Sequence, residues 1–426
     1  MRVAIIGAGP AGSALGILLA HEGAQVTLFD DGRRPELLVG ESLIPAVIPI
    51  FKRLGIEDTM ATCGRLKPGV SFVWSESERF SFTFARFAPA VPPYAYNIAR
   101  PQFDEAVRAR AVAAGVQHVI ARARLGPAGT GSAELALDAE TLAAAPTLGG
   151  GQPDFIVDAT GRGRLAAGAL RIPARVGPRN DVAHFAHFED FKWDDVPGQV
   201  LISRLKAGWS WGIPLKERLS VGIVLGRDDA AGLGATPLER LERAIAIDPW
   251  LTSMVGAAKR VTSVATYSNY QLISERGAGP GWVAIGDAFG FVDPMLSPGV
   301  FLALRSAEVV ADAVAPFLRR RATPSPDELY AALRPYAAMQ QRMLAAWLDL
   351  VAHFYDGRML ALMRSGRNWI DEGPSAFKSA AQNHIERHIA LQASGVGTTS
   401  RYSRALLRIL ARYGMRGVTS AEMAIH

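Results

Sequence analysis

The alternation of apolar and polar positions opens on a short buried strand at residues 2–6, followed by a glycine-rich turn, Gly7-Ala8-Gly9-Pro10-Ala11-Gly12. Apolar spacing then predicts a helix to about Glu22 and a second strand over Gln25–Phe29, ending at Asp30 and Asp31. Phe155–Asp158 and Trp282–Ile285 are further apolar runs, each closing in a turn of small residues that holds an acid. Segments 70–98 and 181–225 differ: Phe80-Ser81-Phe82-Thr83-Phe84 and Ser220-Val221-Gly222-Ile223-Val224 alternate with period two, which predicts antiparallel strands of a second lobe. Residues 142–152 read as a flexible turn between strands, and Ala244–Val255 and much of 302–350 as helices. No internal repeat is present.

The opening strand, turn, helix and strand form a βαβ unit carrying G-x-G-x-x-G. Gly7 allows the tight turn and Gly9 lets the backbone approach a pyrophosphate. Gly12 permits close helix–strand packing, and the helix N-terminus favours the phosphates. Asp30 follows Gly12 by 18 residues, where an acid can take ribose hydroxyls. Arg100, opening Arg100-Pro101-Gln102-Phe103-Asp104, is placed to reach a phosphate, and Asp287 in Gly286-Asp287-Ala288 to reach a polyol chain.

Composition is that of an ordinary folded enzyme: of 426 residues, 49% are hydrophobic and 20% charged. Cys63 is the only cysteine, so no internal disulfide and no multi-cysteine metal site can form, and a reducing cytoplasm is the expected location. No histidine pair at metal-ligand spacing is noted among the eight histidines, so no metal site is expected. Ten Arg or Lys against four Asp or Glu after residue 357 account for the whole +6 net charge, a distribution that speaks against a nucleic-acid surface. Val3–Ala20 is uncharged over 18 residues, but Gly7, Gly9, Pro10 and Gly12 break any continuous apolar helix. No targeting segment or membrane contact is expected.

The order of these motifs, with Arg100-x-x-Phe103-Asp104, Asp158-Ala159-Thr160-Gly161 and Gly286-Asp287-Ala288, resembles the flavin monooxygenase superfamily to about residue 320. Two further runs resemble its flavin-dependent halogenase branch. Trp209-Ser210-Trp211-Gly212-Ile213-Pro214 matches W-x-W-x-I-P, and Phe291-Val292-Asp293-Pro294-Met295-Leu296-Ser297-Pro298-Gly299 matches F-x-x-P-x-x-S-x-G. The resemblance implies an α/β fold: a Rossmann-like FAD-binding domain (1–70 with 99–180 and 275–325), an antiparallel-sheet substrate domain (71–98 with 181–274) and a C-terminal helical region (326–426). It implies FAD used as FADH2, bound by Gly7, Gly9, Ala11, Gly12, Asp30, Arg100, Asp287, Pro294, Gly299 and Val300. No second Rossmann unit for NADPH is seen, so a separate flavin reductase is the expected partner.

The resemblance also implies a chemistry. A flavin hydroperoxide oxidises chloride or bromide to hypohalous acid beside Ser297, Pro298 and Gly299, where small residues and backbone N–H groups can hold a halide. Trp209, Trp211, Ile213 and Pro214 wall the substrate off; the plain packing reading of two tryptophans on one strand face is compatible with that. A lysine then hands halogen to the ring, as a chloramine or by polarising the halogen. Gly64-Arg65-Leu66-Lys67-Pro68-Gly69-Val70-Ser71-Phe72-Val73-Trp74 resembles the segment around it and makes Lys67 the catalytic residue, its pKa expected to fall on burial. Gly40-Glu41-Ser42-Leu43-Ile44-Pro45 resembles another family segment; Glu41 either orients Lys67, takes the ring proton, or forms a structural salt bridge.

Leu296 stands where tryptophan halogenases carry a glutamate, which points to a phenol, pyrrole or other activated ring instead of free tryptophan. The rival readings are a monooxygenase hydroxylating an aromatic or polyene, a prenyl-chain reductase, and a flavin-binding protein without catalysis. Arg401, Arg404, Arg408 and Arg412 recur on an amphipathic basic helix. It is read as packed on the body, as a dock for an acidic carrier protein presenting a tethered ring, or as a contact for anionic lipid.

Overall fold

The computed structural model describes residues 1–75, 78–268, 271–371, 375–415 and 417–425. Two sheets dominate it. The first has six strands in the order 278–279, 282–284, 155–158, 2–6, 25–30 and 117–120, parallel except at the short edge strand 278–279. Parallel neighbours need crossovers, and helix Pro10–His21 supplies the first of them. Val3 pairs with Phe155 on one side and Val26 on the other. With both faces covered, the central strands are continuously apolar.

The second sheet runs 259–260, 181–189, 219–226, 209–214, 200–204, 69–75 and 78–83, with 265–268 also paired to 181–189. It is antiparallel as expected, with one correction. Val200–Arg204 lies parallel to Gly69–Ser75, because the latter strand enters from far upstream in the chain. Period-two alternation divides its side chains. Phe72, Ile202, Trp209, Trp211 and Ile213 join the main core, while Val73, Leu201, Val221 and Ile223 pack with Leu241, Leu251 and Met254 of the helices behind.

Residues 142–152 are more ordered than a flexible turn: helix Ala139–Ala143 enters the connection and the tight turn Pro146–Leu148 lies within it. Asp138 caps that helix through the Thr141 N–H at 2.8 Å. The helix expected over Ala244–Val255 is two, Pro237–Ile247 and Pro249–Val255, because Pro249 cannot continue the first and Asp248 caps the second. Helix Gly299–Arg319 packs against Pro10–His21, and helix Pro326–Tyr355 runs beside it. Helices Arg358–Asp371, Ala376–Ala393 and Arg401–Tyr413 complete the C-terminal region. Among the described residues no helix is long and apolar enough to cross a membrane.

Candidate active site

The C-terminal ends of the parallel strands and the aromatic face of the second sheet enclose a cavity of about 690 Å³, within the range of cofactor and ligand pockets. Its floor is the glycine turn. Gly7 sits at φ +110°, and a Cβ there would lie 2.3 Å from the Ala159 carbonyl oxygen, so only glycine lets strands 2–6 and 155–158 close at this point. A Cβ on Gly9, by contrast, would meet nothing of the protein. That open space above the N-terminus of helix Pro10–His21 is where a pyrophosphate fits. Gly12 does not line the cavity; it lies against the Gly7 carbonyl and the Ala159 side chain, packing helix on strand.

Asp30 ends its strand and borders the cavity. Burial alone would raise its pKa, but the Arg34 guanidinium at 2.6 Å and the Gly32 N–H at 3.1 Å hold the carboxyl below the usual range. Arg100 forms a two-pronged pair with Asp104 (3.0 and 3.2 Å) and donates to the Val39 carbonyl at 2.6 Å. Burial pushes Asp287 up to about 6, against the opposing pull of Arg100 and Arg162. Open glycine backbone, a strand-end acid, a half-buried arginine and a helix N-terminus together fit FAD.

The segment Asp293–Gly299 forms the middle of the cavity. The Asp293 carboxylate accepts the Met295 N–H at 2.9 Å, and Ser297 N–H bonds the Pro294 carbonyl at 2.8 Å. Leu296 (φ 66°) and Ser297 (φ 59°) are successive left-handed residues without being glycine, costing about 1–2 kcal/mol each. Strain of this kind gathers where a loop is shaped for a ligand. Gly299 and Val300 begin the following helix and line the cavity with Pro294 and Ser297; Pro298 precedes them as the cap residue and does not line it.

Trp209, Trp211 and Ile213 share one face of their strand and form the opposite wall, whereas Pro214 ends the strand outside the lining. The two indoles are 5.8 Å apart, and Phe185 lies 5.6 Å from Trp211. Gly222, directly across from Trp211, is indispensable to that pose: a Cβ there would fall 2.2 Å from the indole.

Lys67 is 4% exposed and does not line the cavity. Its Nζ donates to Ser42 Oγ at 2.8 Å and the Leu43 carbonyl at 2.9 Å, and burial pushes its pKa down to about 7. Ser42, its partner, does line the cavity, as does Glu41. The Glu41 carboxylate accepts from His187 Nε2 at 2.9 Å, both groups being buried, so its partner is a histidine and not Lys67. Neither His187 nor Ser42 stood out in the sequence: His187 lies mid-strand among apolar residues, and Ser42 was visible only as a neighbour of Glu41. Tyr355, at the tip of a long helix, gave no sequence signal at all.

The reading of the histidines needs one correction. His384 and His388 stand one turn apart on a helix, with ring centroids separated by 4.6 Å. Among the described residues no group of three or more His, Cys, Asp or Glu is arranged to hold a metal ion.

The sequence profile of the family described as tryptophan halogenase matches residues 2–93 and 86–358. A tryptophan 2-halogenase of Chondromyces crocatus is 30% identical over 370 residues, covering 83% of this chain and 68% of the relative. A 1H-pyrrole-2-carbonyl-[peptidyl-carrier protein] brominase of Pseudoalteromonas luteoviolacea (strain 2ta16) is 28% identical over 328 residues, 73% of this chain and 76% of that one. Among solved structures, the myxobacterial chondrochloren halogenase, an FAD-dependent enzyme, superposes with a TM-score of 0.72 at 25% identity, covering 99% of each chain. A match over most of the chain, on a cavity that fits FAD, places this protein in the tryptophan halogenase family of FAD- and halide-using flavin-dependent halogenases.

Proposed function

We propose that this enzyme chlorinates or brominates an electron-rich aromatic ring of phenol or pyrrole type, with Lys67 as the catalytic residue that delivers the halogen. The observation that carries this reading is the burial of the Lys67 amine, set apart from the cavity but joined to its lining through Ser42, a burial that pushes its pKa down to about 7. A lysine in water is almost wholly cationic at neutral pH; one held near 7 is about half neutral and has a free electron pair for an electrophile.

Bound as FADH2, the flavin supplies with oxygen the oxidising equivalent that converts halide to hypohalous acid. The Gly7–Ala11 turn and Arg100 would hold the pyrophosphate, Asp30 the ribose, and Asp287 the polyol chain that leads to the flavin ring. Pro294, Gly299 and Val300 would border the ring system, and Ser297 to Gly299 the halide. Trp209, Trp211 and Ile213, with Pro214 fixing the strand end, would exclude the aromatic substrate from that chamber. Lys67 then either exchanges an N–H proton for halogen, releasing water, or polarises the halogen by hydrogen bonding. The ring carbon takes the halogen and its proton passes to Glu41, the cavity-lining carboxylate that His187 holds. The three regions would divide as 1–70 with 99–180 and 275–325 for FAD, 71–98 with 181–274 for substrate, and 326–426 as a helical cover. A separate flavin reductase would deliver FADH2 by diffusion.

Leu296 leaves the substrate side without the carboxylate expected for free tryptophan, which supports a phenol or pyrrole. The similarity to a tryptophan 2-halogenase favours an indole as the second reading. The pyrrolyl-carrier brominase supports testing a tethered ring beside a free one. Incubation with FAD, a flavin reductase, oxygen and bromide against phenols, pyrroles, tryptophan and a carrier-bound pyrrole, read by isotope pattern, decides among them. A hydroxylated product without bromine, or rapid NADPH oxidation by the chain alone, would replace the proposal with a monooxygenase.

A further inference from the structure

Tyr355 is the last residue of helix Pro326–Tyr355 and is 6% exposed. It does not line the cavity, yet its hydroxyl joins two groups that do. Trp209 Nε1–H donates to it at 2.9 Å, and its own proton goes to the Asp293 carboxylate, whose oxygens lie at 3.1 and 3.2 Å. Asp293 is wholly buried and uses the same carboxylate to hold the Met295 N–H, immediately before the two left-handed residues Leu296 and Ser297. The tyrosine ring is itself pinned. The Arg179 guanidinium stacks on its face at 3.6 Å while pairing with Asp181, and the backbone carbonyl of Tyr355 accepts the Ile425 N–H at 2.8 Å.

We propose that Tyr355 is a positioning residue that couples the tryptophan wall to the Asp293–Ser297 loop, so that the C-terminal helical region sets how tightly the oxidant chamber is closed. An indole has a single N–H, so its one directional bond, here to Tyr355, fixes the tilt of the ring among its packing partners. The acceptor of that bond is held by the carboxylate that shapes the loop. Wall and loop therefore move as a unit, and loosening either opens a path for hypohalous acid. The inference rests on the reading of Trp209 as a wall residue.

The test is Tyr355→Phe, which removes one oxygen and keeps the ring on which Arg179 stacks. In protein carrying ¹⁵N-labelled indoles, with the Trp209 N–H signal identified by Trp209→Phe, that signal should shift while the other indole signals stay in place. With FAD, a reductase, oxygen and bromide but no aromatic substrate, monochlorodimedone traps any hypobromous acid that escapes. Escape per oxygen consumed should rise about tenfold, the effect of losing a hydrogen bond to a charged network. FAD affinity should remain within about twofold, because Tyr355 touches no nucleotide-binding group. Adding Tyr355→Phe to Trp209→Phe should give no further escape, since Tyr355 acts through the Trp209 N–H. An unmoved Trp209 signal, unchanged escape, or additive escape in the double variant overturns the proposal. Wild-type protein that halogenates no phenol or pyrrole would instead sink the substrate reading and leave the indole and trapping results to decide this one.

Discussion

Replacing Lys67 by methionine separates the functional demand on this residue from its effect on stability. The folded chain lowers the amine from 10.5 to about 7, so its ammonium is disfavoured inside by about 5 kcal/mol relative to water. Between those two values the unfolded chain binds more protons than the folded one, so wild-type stability rises with pH by about 1.4 kcal/mol per unit. Below about 7 both states are protonated and the burial penalty is complete. Methionine has no such penalty, but it forfeits the bonds to Ser42 and Leu43, worth about 2–3 kcal/mol together. The Lys67→Met variant should therefore be about 2 kcal/mol more stable near pH 7 and lose that margin by about pH 9. Halogenation should be abolished while FAD binding is retained. Denaturant unfolding of wild type and variant at intervals between pH 6 and 10 measures the difference directly. A difference that stays flat across that range refutes the desolvated amine, and with it the argument for a neutral nucleophile.

Three further outcomes follow from the same geometry. Gly7→Ala forces a side chain into φ +110° and onto the Ala159 carbonyl, so FAD affinity, followed by flavin fluorescence, should fall more than about tenfold; an unchanged affinity would remove the turn from the cofactor site. Gly222→Ala displaces the Trp211 indole, and the fraction of oxidant reaching the aromatic ring should fall at least about threefold, measured as halogenated product per oxygen consumed. His187→Phe leaves the buried Glu41 carboxylate without its donor, so kcat for halogenation should fall at least about tenfold while FAD affinity is kept, and an unchanged kcat would exclude the pair from the proton transfer.

Much of the site was visible along the chain because its recognition is local. The glycine turn, Asp30, Arg100 and Asp287 are legible from backbone shape and short-range spacing, and all but Gly12 of the glycine set border the cavity. The same holds for Trp209, Trp211 and Ile213, which period two assigns to one face. The partners of the charged groups were not visible. Glu41 finds His187 across 146 positions of sequence and Lys67 finds Ser42 across 25, separations at which no periodicity survives. The one-turn spacing of His384 and His388 in helix Ala376–Ala393 is likewise legible in the sequence.

What the sequence determined by itself was the order of elements, the nucleotide turn and the family resemblance, because these depend on residues a few positions apart and on hydrophobic period. Only the tertiary structure decided the protonation of Lys67, since desolvation is created by everything that packs around an amine and by nothing next to it in the chain. It alone brought Tyr355 from the end of a distant helix between Trp209 and Asp293. Hydrogen bonds between separate layers answer to how those layers meet, and that meeting is a property of the whole core.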